Sequence, residues 1–164
     1  KPATIETATK KSKSSPPDSR LTTHGLWVSR VTASQFKEGR VYVSLNGFRT
    51  DNFAPYLYMS NDYGMSWKQL GKDLPYEPIN VVREDPKSDS ILYVGTDGGL
   101  YVSFDQGNSF MMWNGGLPKS VPVHDIAIQV RENEIILGTH GRSLFVCKLA
   151  QGLLVHLMLY RIHF

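Results

Sequence analysis

Cysteine is almost absent from this chain of 164 residues, in which Cys147 is the only one. A single cysteine excludes an intrachain disulfide, and its place in an apolar run predicts a small buried side chain rather than a nucleophile. Five histidines are present, but none of their spacings is typical of a metal site. The sequence therefore predicts no metal ion and no cofactor.

Long apolar runs are also missing. The most apolar stretch, Leu153 to Tyr160, has eight residues, which are too few to span a bilayer as a helix. No secretory signal with an apolar core is present, and we expect a chain that begins at Lys1 without Met to be a processed or partial product. The sequence predicts no membrane span.

Net charge is low over most of the chain. Residues 1–20 are rich in Lys, Ser and Pro, have hardly any large apolar side chain, and are predicted to form a flexible tail. Five basic and two acidic residues give this tail a charge of +3, which equals the net charge of the whole chain. The remainder is formally neutral and lacks the basic face that phosphate recognition needs, so we expect no nucleic-acid partner.

What the chain does have is an internal repeat. Residues 60–67 and 103–110, which are 43 positions apart, both read Ser-x-Asp-x-Gly-x-Ser-aromatic. A Leu-Pro pair and a Gly-Thr pair recur at the same spacing. A period of about 40 to 50 residues with short apolar runs and turn signals is typical of β-propeller blades. The repeat therefore predicts an all-β fold.

Three units follow from this repeat, at 27–75, 76–118 and 119–149, within a partial propeller at 21–149. The predicted strands are 28–34, 40–46, 56–60, 66–70, 79–84, 91–96, 100–104, 109–113, 123–130, 134–139 and 143–148. We predict a partial propeller of about three blades, which are four-stranded antiparallel sheets in the first two units. The third unit has three strands, and the atypical apolar segment 150–164 can supply an outer strand, dock against another chain, or be unrelated to the blades.

The first unit has eight more residues than the second, around Phe48 to Pro55, between its second and third strands. We expect this excess to form a loop, because insertions in repeat proteins usually map to loops, often on the binding face. No helix of useful length is predicted.

The repeated motif has a mechanical explanation. Its aspartate can accept hydrogen bonds from nearby backbone N–H groups, its glycine supplies a positive φ, and its aromatic residue packs between strands or blades. Asp62 and Asp105 are therefore predicted to be structural and not catalytic. The structural set is Ser60, Asp62, Gly64, Trp67, Ser103, Asp105, Gly107 and Phe110.

These motifs resemble Asp-boxes, also called bacterial neuraminidase repeats (BNR), which occur in sialidases, related propeller glycosidases and the sortilin propeller. The stretch from Trp27 to Lys148 is similar to the closing blades of bacterial proteins labelled glycosyl hydrolases with these repeats. The likeness is most suggestive at 27–31, 80–86, 93–103 and 138–143. It implies a glycosyl-hydrolase-like protein that is secreted, periplasmic or on the cell surface.

In such a propeller, the turns between second and third strands and the connections between blades open at one mouth of the central channel. We predict that ligand binding at this mouth uses Arg49, Asp51, Asp97, His124, His140 and Arg142, with Asn46 and Asp125 beside them. Each of these residues also has a structural explanation. Asp97 fits a simple hairpin turn, and His140 and Arg142 can form hydrogen bonds to the backbone of a neighbouring blade in place of a ligand. Four aromatic residues can stack on sugars or belong to the blade core, namely Phe48, Phe53, Tyr56 and Tyr76.

Three functions stay open at this point. A glycoside hydrolase needs two carboxyl groups, about 5–5.5 Å apart for retention or about 6.5–9.5 Å apart for inversion, and the candidates are Asp51, Asp97 and Asp125. A binding platform would recognise a glycan or an extended peptide without reaction, and a scaffold would support chemistry on other blades. Because no catalytic signature is present, we favour the platform or scaffold. We also expect self-association through open blade edges.

Overall fold

The computed structural model describes residues 25–115, 117–118, 120–141 and 143–149. The predicted tail at 1–20, the segment 150–164 and Arg142 lie outside the described residues. Within the described part, the strands are β1 Trp27–Ala33, β2 Val41–Gly47, β3 Asn52–Ser60, β4 Lys68–Leu70, β5 Ile79–Glu84, β6 Leu92–Thr96, β7 Leu100–Ser103, β8 Met111–Met112, β9 Val123–Gln129, β10 Glu134–Thr139 and β11 Leu144–Lys148. A single 3₁₀ turn, Phe48–Thr50, joins β2 to β3.

These strands form three antiparallel sheets, in the orders β1-β2-β3-β4, β5-β6-β7-β8 and β9-β10-β11. We call them the first, second and third sheets. Each strand pairs with its neighbours in sequence, which is the connectivity of a propeller blade. The all-β prediction of a partial propeller is therefore confirmed. No helix in the described ranges has the length and apolarity needed to cross a membrane.

Apolar side chains fill the two spaces between the sheets. The first interface lies between the first and second sheets and includes Tyr42, Leu57, Leu70, Ile79, Val82 and Leu92. The second interface lies between the second and third sheets and includes Val81, Tyr93, Leu100, Val123, Ile126 and Leu137. Val81 and Val82 face opposite interfaces because successive side chains of a strand alternate between its faces. β6 is consequently buried along its whole length.

The first strands of the three sheets lie side by side, since β5 contacts both β1 and β9. Side chains of one first strand donate hydrogen bonds to backbone carbonyls of the next. Ser29 Oγ donates to Ile79 O at 2.7 Å, and Thr32 Oγ1 donates to Val82 O at 2.9 Å. Arg83 Nε donates to the backbone carbonyl of the third sheet's first strand at 3.0 Å. These bonds place β1, β5 and β9 around one axis, as the inner strands of blades are placed.

The repeated motif forms the turns β3–β4 and β7–β8, with the same hydrogen bonds in both copies. The Asp62 carboxylate accepts hydrogen bonds from Ser60 Oγ (2.7 Å), Ser66 N (2.9 Å) and Ser66 Oγ (2.5 Å). Gly64 N donates to Ser60 Oγ at 2.8 Å, and Gly64 has a φ of 86°. The second copy makes the corresponding four bonds among Ser103, Asp105, Gly107 and Ser109.

Three strand boundaries differ from the predictions by more than one residue. The excess residues Phe48 to Pro55 do not form a plain loop, because they provide the 3₁₀ turn and the start of β3, which begins at Asn52. Gly47 pairs with Asn52 after a register shift in the β2–β3 ladder. The outer strands β4 and β8 are shorter than predicted, with three and two residues.

Candidate functional site

The candidate site lies at one end of the three sheets, which we call the channel end. The turns β2–β3, β6–β7 and β10–β11 lie there, and so do the starts of β1, β5 and β9, because the second strand of an antiparallel meander returns to the end where the first strand began. The repeated Asp turns lie at the opposite end. Arg49, Asp51, Asp97, His124 and His140 all come from segments at the channel end.

The first strand of each sheet carries a β-bulge at the same position. The register shifts between Val28 and Arg30 in β1, and between Ile79 and Val81 in β5. In the third sheet the shift lies opposite Gly138 and Thr139 of β10. The bulged residues are therefore Ser29, Asn80 and His124. A bulge turns a side chain away from its ordinary direction, and bulges are common next to functional sites.

In the second and third sheets, the bulged residue meets the first residue after the second strand. Asn80 Nδ2 donates a hydrogen bond to Asp97 Oδ1 at 2.8 Å. The rings of His124 and His140 lie side by side, with their centres 5.6 Å apart and their planes tilted by 49°. The predicted mouth residues of these two sheets thus come together as polar pairs, one per sheet.

The first sheet differs at this position. Ser29 Oγ lies 2.9 Å from Ser44 Oγ and donates to the second sheet. Asn46 stands opposite Trp27 in the β1–β2 ladder. The first sheet therefore uses its bulged side chain to attach the neighbouring sheet.

An ion pair connects the first and third sheets. Arg30 Nη2 lies 2.6 Å from Asp125 Oδ1, and the two side chains are 33% and 61% exposed. The same oxygen accepts a hydrogen bond from Ile126 N at 3.0 Å. Arg30 Nε is buried without a hydrogen-bond partner in the described part of the chain. Sequence reasoning placed Asp125 at the mouth but gave no sign of its partner, because the two residues are 95 positions apart.

Glu77 is a residue of this end that sequence reasoning missed. Its Oε2 accepts hydrogen bonds from Thr96 Oγ1 at 2.7 Å and from Gly98 N at 3.1 Å. These bonds hold the β6–β7 turn that carries Asp97. A negatively charged side chain two residues before a predicted first strand was the available signal.

Four aromatic side chains are exposed near this end. Trp27, Phe48, Phe53 and Tyr76 have 55%, 53%, 39% and 68% of their surface in contact with solvent. The Arg49 guanidinium carbon lies 4.5 Å from the centre of the Trp27 ring, within the range of a cation–π contact. Phe53 and Tyr76 meet edge to face, with ring centres 6.5 Å apart. Trp27 was recognised only as part of a motif, and not as a binding residue.

The remaining candidates have different surroundings. Tyr56 is half-buried, and its hydroxyl accepts a hydrogen bond from Asn52 Nδ2 at 2.9 Å. Asp51 is exposed and has a left-handed backbone, with φ of 55°, directly after the 3₁₀ turn. Burial raises the pKa of the Cys147 thiol, whose side chain packs against the second interface. In the described ranges, no three His, Cys, Asp or Glu side chains converge in a way that could hold a metal ion.

Comparisons with known proteins identify the fold. No protein-family profile matches the chain, and no curated protein matches it. Among solved structures it is similar to an ancestral GH74 enzyme, with 20% identity, a TM-score of 0.60, and coverage of 81% of this chain and 18% of that one. The GH74 enzyme of Niastella koreensis gives 16% identity, a TM-score of 0.58, and coverage of 74% and 21%. YCF48 from Cyanidioschyzon merolae gives 10%, 0.59, and coverage of 79% and 39%.

These neighbours are β-propeller proteins, and at such low identity the likeness shows the fold alone. The chain spans about a fifth of the length of the two GH74 enzymes and about two fifths of YCF48.

Proposed function

We propose that the three sheets are consecutive blades of a larger Asp-box propeller whose channel end binds a glycan without cleaving it. The observation that carries this proposal is the group of exposed aromatic rings at that end, Trp27, Phe48, Phe53 and Tyr76. Three sheets cannot close a ring by themselves, since complete propellers have at least four blades. The short coverage of the neighbouring structures is consistent with a larger ring.

The chemistry of this surface suits sugars. The apolar face of a pyranose packs on an exposed aromatic ring, and its hydroxyl groups need donors and acceptors nearby. The Asn80–Asp97 pair supplies an amide and a carboxylate at the same end of the sheets. The contact with Arg49 limits the motion of the Trp27 ring in the free protein. Less side-chain entropy is therefore lost when a ligand packs on this ring.

A binding assay on neutral polysaccharides tests this proposal. We expect retardation of the protein in gels that contain a soluble β-glucan or a related neutral glycan. Trp27→Ala and Tyr76→Ala should each weaken that binding by on the order of ten-fold. Phe36→Ala is the matched control, because Phe36 is also exposed but lies in the β1–β2 turn at the opposite end.

Two results would overturn the glycan assignment. One is binding that Phe36→Ala weakens as much as Trp27→Ala does. The other is retention of an extended peptide by the same variants without any retention of glycans, which would make the platform a peptide receptor.

A second candidate is a glycoside hydrolase that uses channel-end carboxylates. The two GH74 enzymes among the structural neighbours favour it. Asp51, Asp97 and Asp125 are its candidate catalytic groups. Release of reducing sugar from the same polysaccharides, lost in Asp97→Asn or Asp125→Asn, would support an enzyme. Binding without release would leave the platform.

Location and assembly also remain proposals. The resemblance to Asp-box proteins supports a secreted, periplasmic or cell-surface location. Self-association through blade edges is supported by β11, which lies at the edge of its sheet within the described residues and exposes Leu144 and Val146. Light scattering at increasing concentration tests it, and a constant monomer mass would contradict it.

A further inference from the structure

The rings of His124 and His140 lie close enough together to reach one metal ion. A zinc–nitrogen bond is about 2.0–2.1 Å long, which puts the centre of each coordinated imidazole about 3.2 Å from the metal. Two such rings at a tetrahedral angle have their centres about 5 Å apart. The observed separation of the two ring centres, 5.6 Å, is close to this value.

Both rings are available to an ion. His124 and His140 are exposed, and within the described residues neither ring nitrogen has a hydrogen-bond partner. A neutral imidazole has one nitrogen that accepts, and that nitrogen is the ligand which zinc, copper and nickel prefer among uncharged side chains. Solvent water can complete the coordination, because the site opens to the outside.

The backbone holds the two residues in place. His140 N donates a hydrogen bond to Pro122 O at 3.2 Å, and Val123 pairs with Thr139 next to them. His124 is the bulged residue of β9, and its ring lies beside the ring of His140 at the β10–β11 turn. A metal site gains affinity when its ligands stand on fixed elements, because less order has to be created on binding.

The second sheet has a pair of side chains at the places that correspond to His124 and His140. Asn80 and Asp97 occupy the corresponding places and bond directly at 2.8 Å. The fold therefore brings these two side chains within reach of a single shared atom. In the second sheet that atom is the hydrogen of the Asn80–Asp97 bond, and in the third sheet two imidazole rings stand at the same places.

We propose that His124 and His140 bind a divalent transition-metal ion of the zinc class at the channel end of the third sheet. This site is independent of the glycan proposal, since it involves none of the exposed aromatic rings. Two protein ligands make it weaker than a structural zinc site, which has four.

Titration of the tag-free full chain with Zn²⁺ tests this inference, followed by calorimetry and by the ring signals of histidine in NMR spectra. We expect the signals of both His124 and His140 to respond to Zn²⁺ and not to Mg²⁺. His124→Gln and His140→Gln should each lower the affinity by on the order of ten-fold or more, and each should also abolish the response of the remaining ring.

The other three histidines stay in every variant, so they act as an internal control. Zinc uptake that neither substitution changes would belong to those residues and would overturn the proposal. A ring at 140 that still responds fully after His124→Gln would also overturn it, because the two imidazoles would then bind separately.

A gain of binding provides a second test. The double substitution Asn80→His with Asp97→His places the imidazole pair on the second sheet, and we expect it to add about one zinc ion per chain. Circular dichroism checks that the variant is folded. An unchanged stoichiometry in the folded variant would contradict the claim that this position of the blade brings two ligands to one ion.

Discussion

The Tyr42 hydroxyl donates a hydrogen bond of 3.2 Å to Glu84 Oε1 across the first interface. Both side chains are buried. Glu84 also accepts hydrogen bonds from Ser34 Oγ and Gln35 N, each at 2.8 Å. Burial of a carboxylate costs free energy unless its oxygens accept hydrogen bonds. The three hydrogen bonds to Glu84 therefore favour one packing arrangement of the first sheet against the second.

Removal of the Tyr42 hydroxyl should loosen this interface. We expect Tyr42→Phe to lower the free energy of unfolding near neutral pH by about 1–2 kcal/mol, because Glu84 loses one of its donors. Tyr63→Phe is the matched control, since the Tyr63 hydroxyl bonds Glu38 at 2.7 Å on the exposed surface. Urea denaturation measures both. Equal losses in the two variants would contradict the importance of burial.

The same contact makes stability depend on alkaline pH. Burial and the charge of Glu84 raise the pKa of Tyr42 from 10 to about 12. The folded state therefore holds this proton more tightly than the unfolded state, and the resulting stability is present below pH 10 and lost as the pH rises toward 12. The difference between the wild type and Tyr42→Phe should shrink over this range in urea denaturation. A difference that stays constant would contradict the assignment.

Loss of the Asp62 carboxylate should weaken the β3–β4 turn. Burial alone would raise the pKa of Asp62, but hydrogen bonds from Ser66 and Ser60 outweigh it and hold the pKa below its ordinary value of 3.8. We expect Asp62→Asn to cost about 1 kcal/mol at neutral pH. This contribution is present above pH 3.8 and is lost as the pH falls through the lowered pKa, so the two proteins should converge in acid.

The control for the turn is Glu132→Gln. Glu132 pairs with Arg131 on the exposed surface at 2.8 Å, and such pairs contribute between about 0 and 1 kcal/mol. Thermal unfolding at neutral and acid pH compares the two variants. An Asp62 variant that loses as much stability at acid pH as at neutral pH would show that its carboxylate does not act through these bonds.

The sequence was sufficient for the blades because their repeat carries its own landmarks. Each strand is recognisable by itself from its apolar and β-branched residues, and the 43-residue spacing aligns the strands of one unit with those of the next. It was insufficient at Asn52–Pro55, where asparagine and proline are poor strand residues and the pairing continues only through a register shift. Local propensity cannot show that a neighbouring strand is available to pair.

The candidate site was predicted in part for a related reason. The topology of a meander fixes which turns share an end, so Asp97, His124 and His140 could be assigned to the same end from their strand positions. Which of them meet was not predictable, because it depends on bulges that move one side chain by one position. The Arg30–Asp125 pair depends on how first strands of separate sheets lie around an axis, which no local pattern records.

The β6–β7 turn should be sensitive to a methyl group at Gly98. A Cβ there would collide with the Glu77 carboxylate, which bonds Gly98 N and Thr96 Oγ1. Gly98 has no positive φ, so the cost of Gly98→Ala comes from the collision and not from the backbone. We expect this cost to fall by about 1 kcal/mol when Glu77→Ala is present.

Urea denaturation of the wild type, the two single variants and the double variant measures this coupling. The four proteins form a double-mutant cycle, in which the effect of Glu77→Ala is measured with and without Gly98→Ala. Effects that Glu77→Ala has elsewhere in the protein are the same in both measurements and therefore cancel. If the effects of the two substitutions simply add, the Glu77 carboxylate can move away from a Cβ at residue 98 without cost. Glycine at residue 98 would then not be needed to keep the carboxylate in place.

Two glycines, Gly95 and Gly138, stand at the same place in successive repeats, and their replacement by alanine should have opposite effects on stability. A Cβ on Gly95 would lie 2.6 Å from Val81 Cγ1 and 2.7 Å from Val123 O, inside the second interface. Because one of these atoms is backbone, the third sheet would have to move, and we expect Gly95→Ala to cost about 2–3 kcal/mol. A Cβ on Gly138 has its nearest neighbour at 3.4 Å, the Asp125 Cβ, which is an ordinary contact.

We therefore expect Gly138→Ala to be neutral or to stabilise the chain by up to about 1 kcal/mol, since alanine restricts the unfolded state. The corresponding residue of the first sheet is a buried serine, Ser44, so this place in a blade holds a side chain where the neighbouring sheet leaves room for it. Thermal denaturation of the two alanine variants separates packing between sheets from any general need for glycine in the second strand. If both variants lose the same stability, the loss reflects the strand itself and the packing of the third sheet against Gly95 is not the cause.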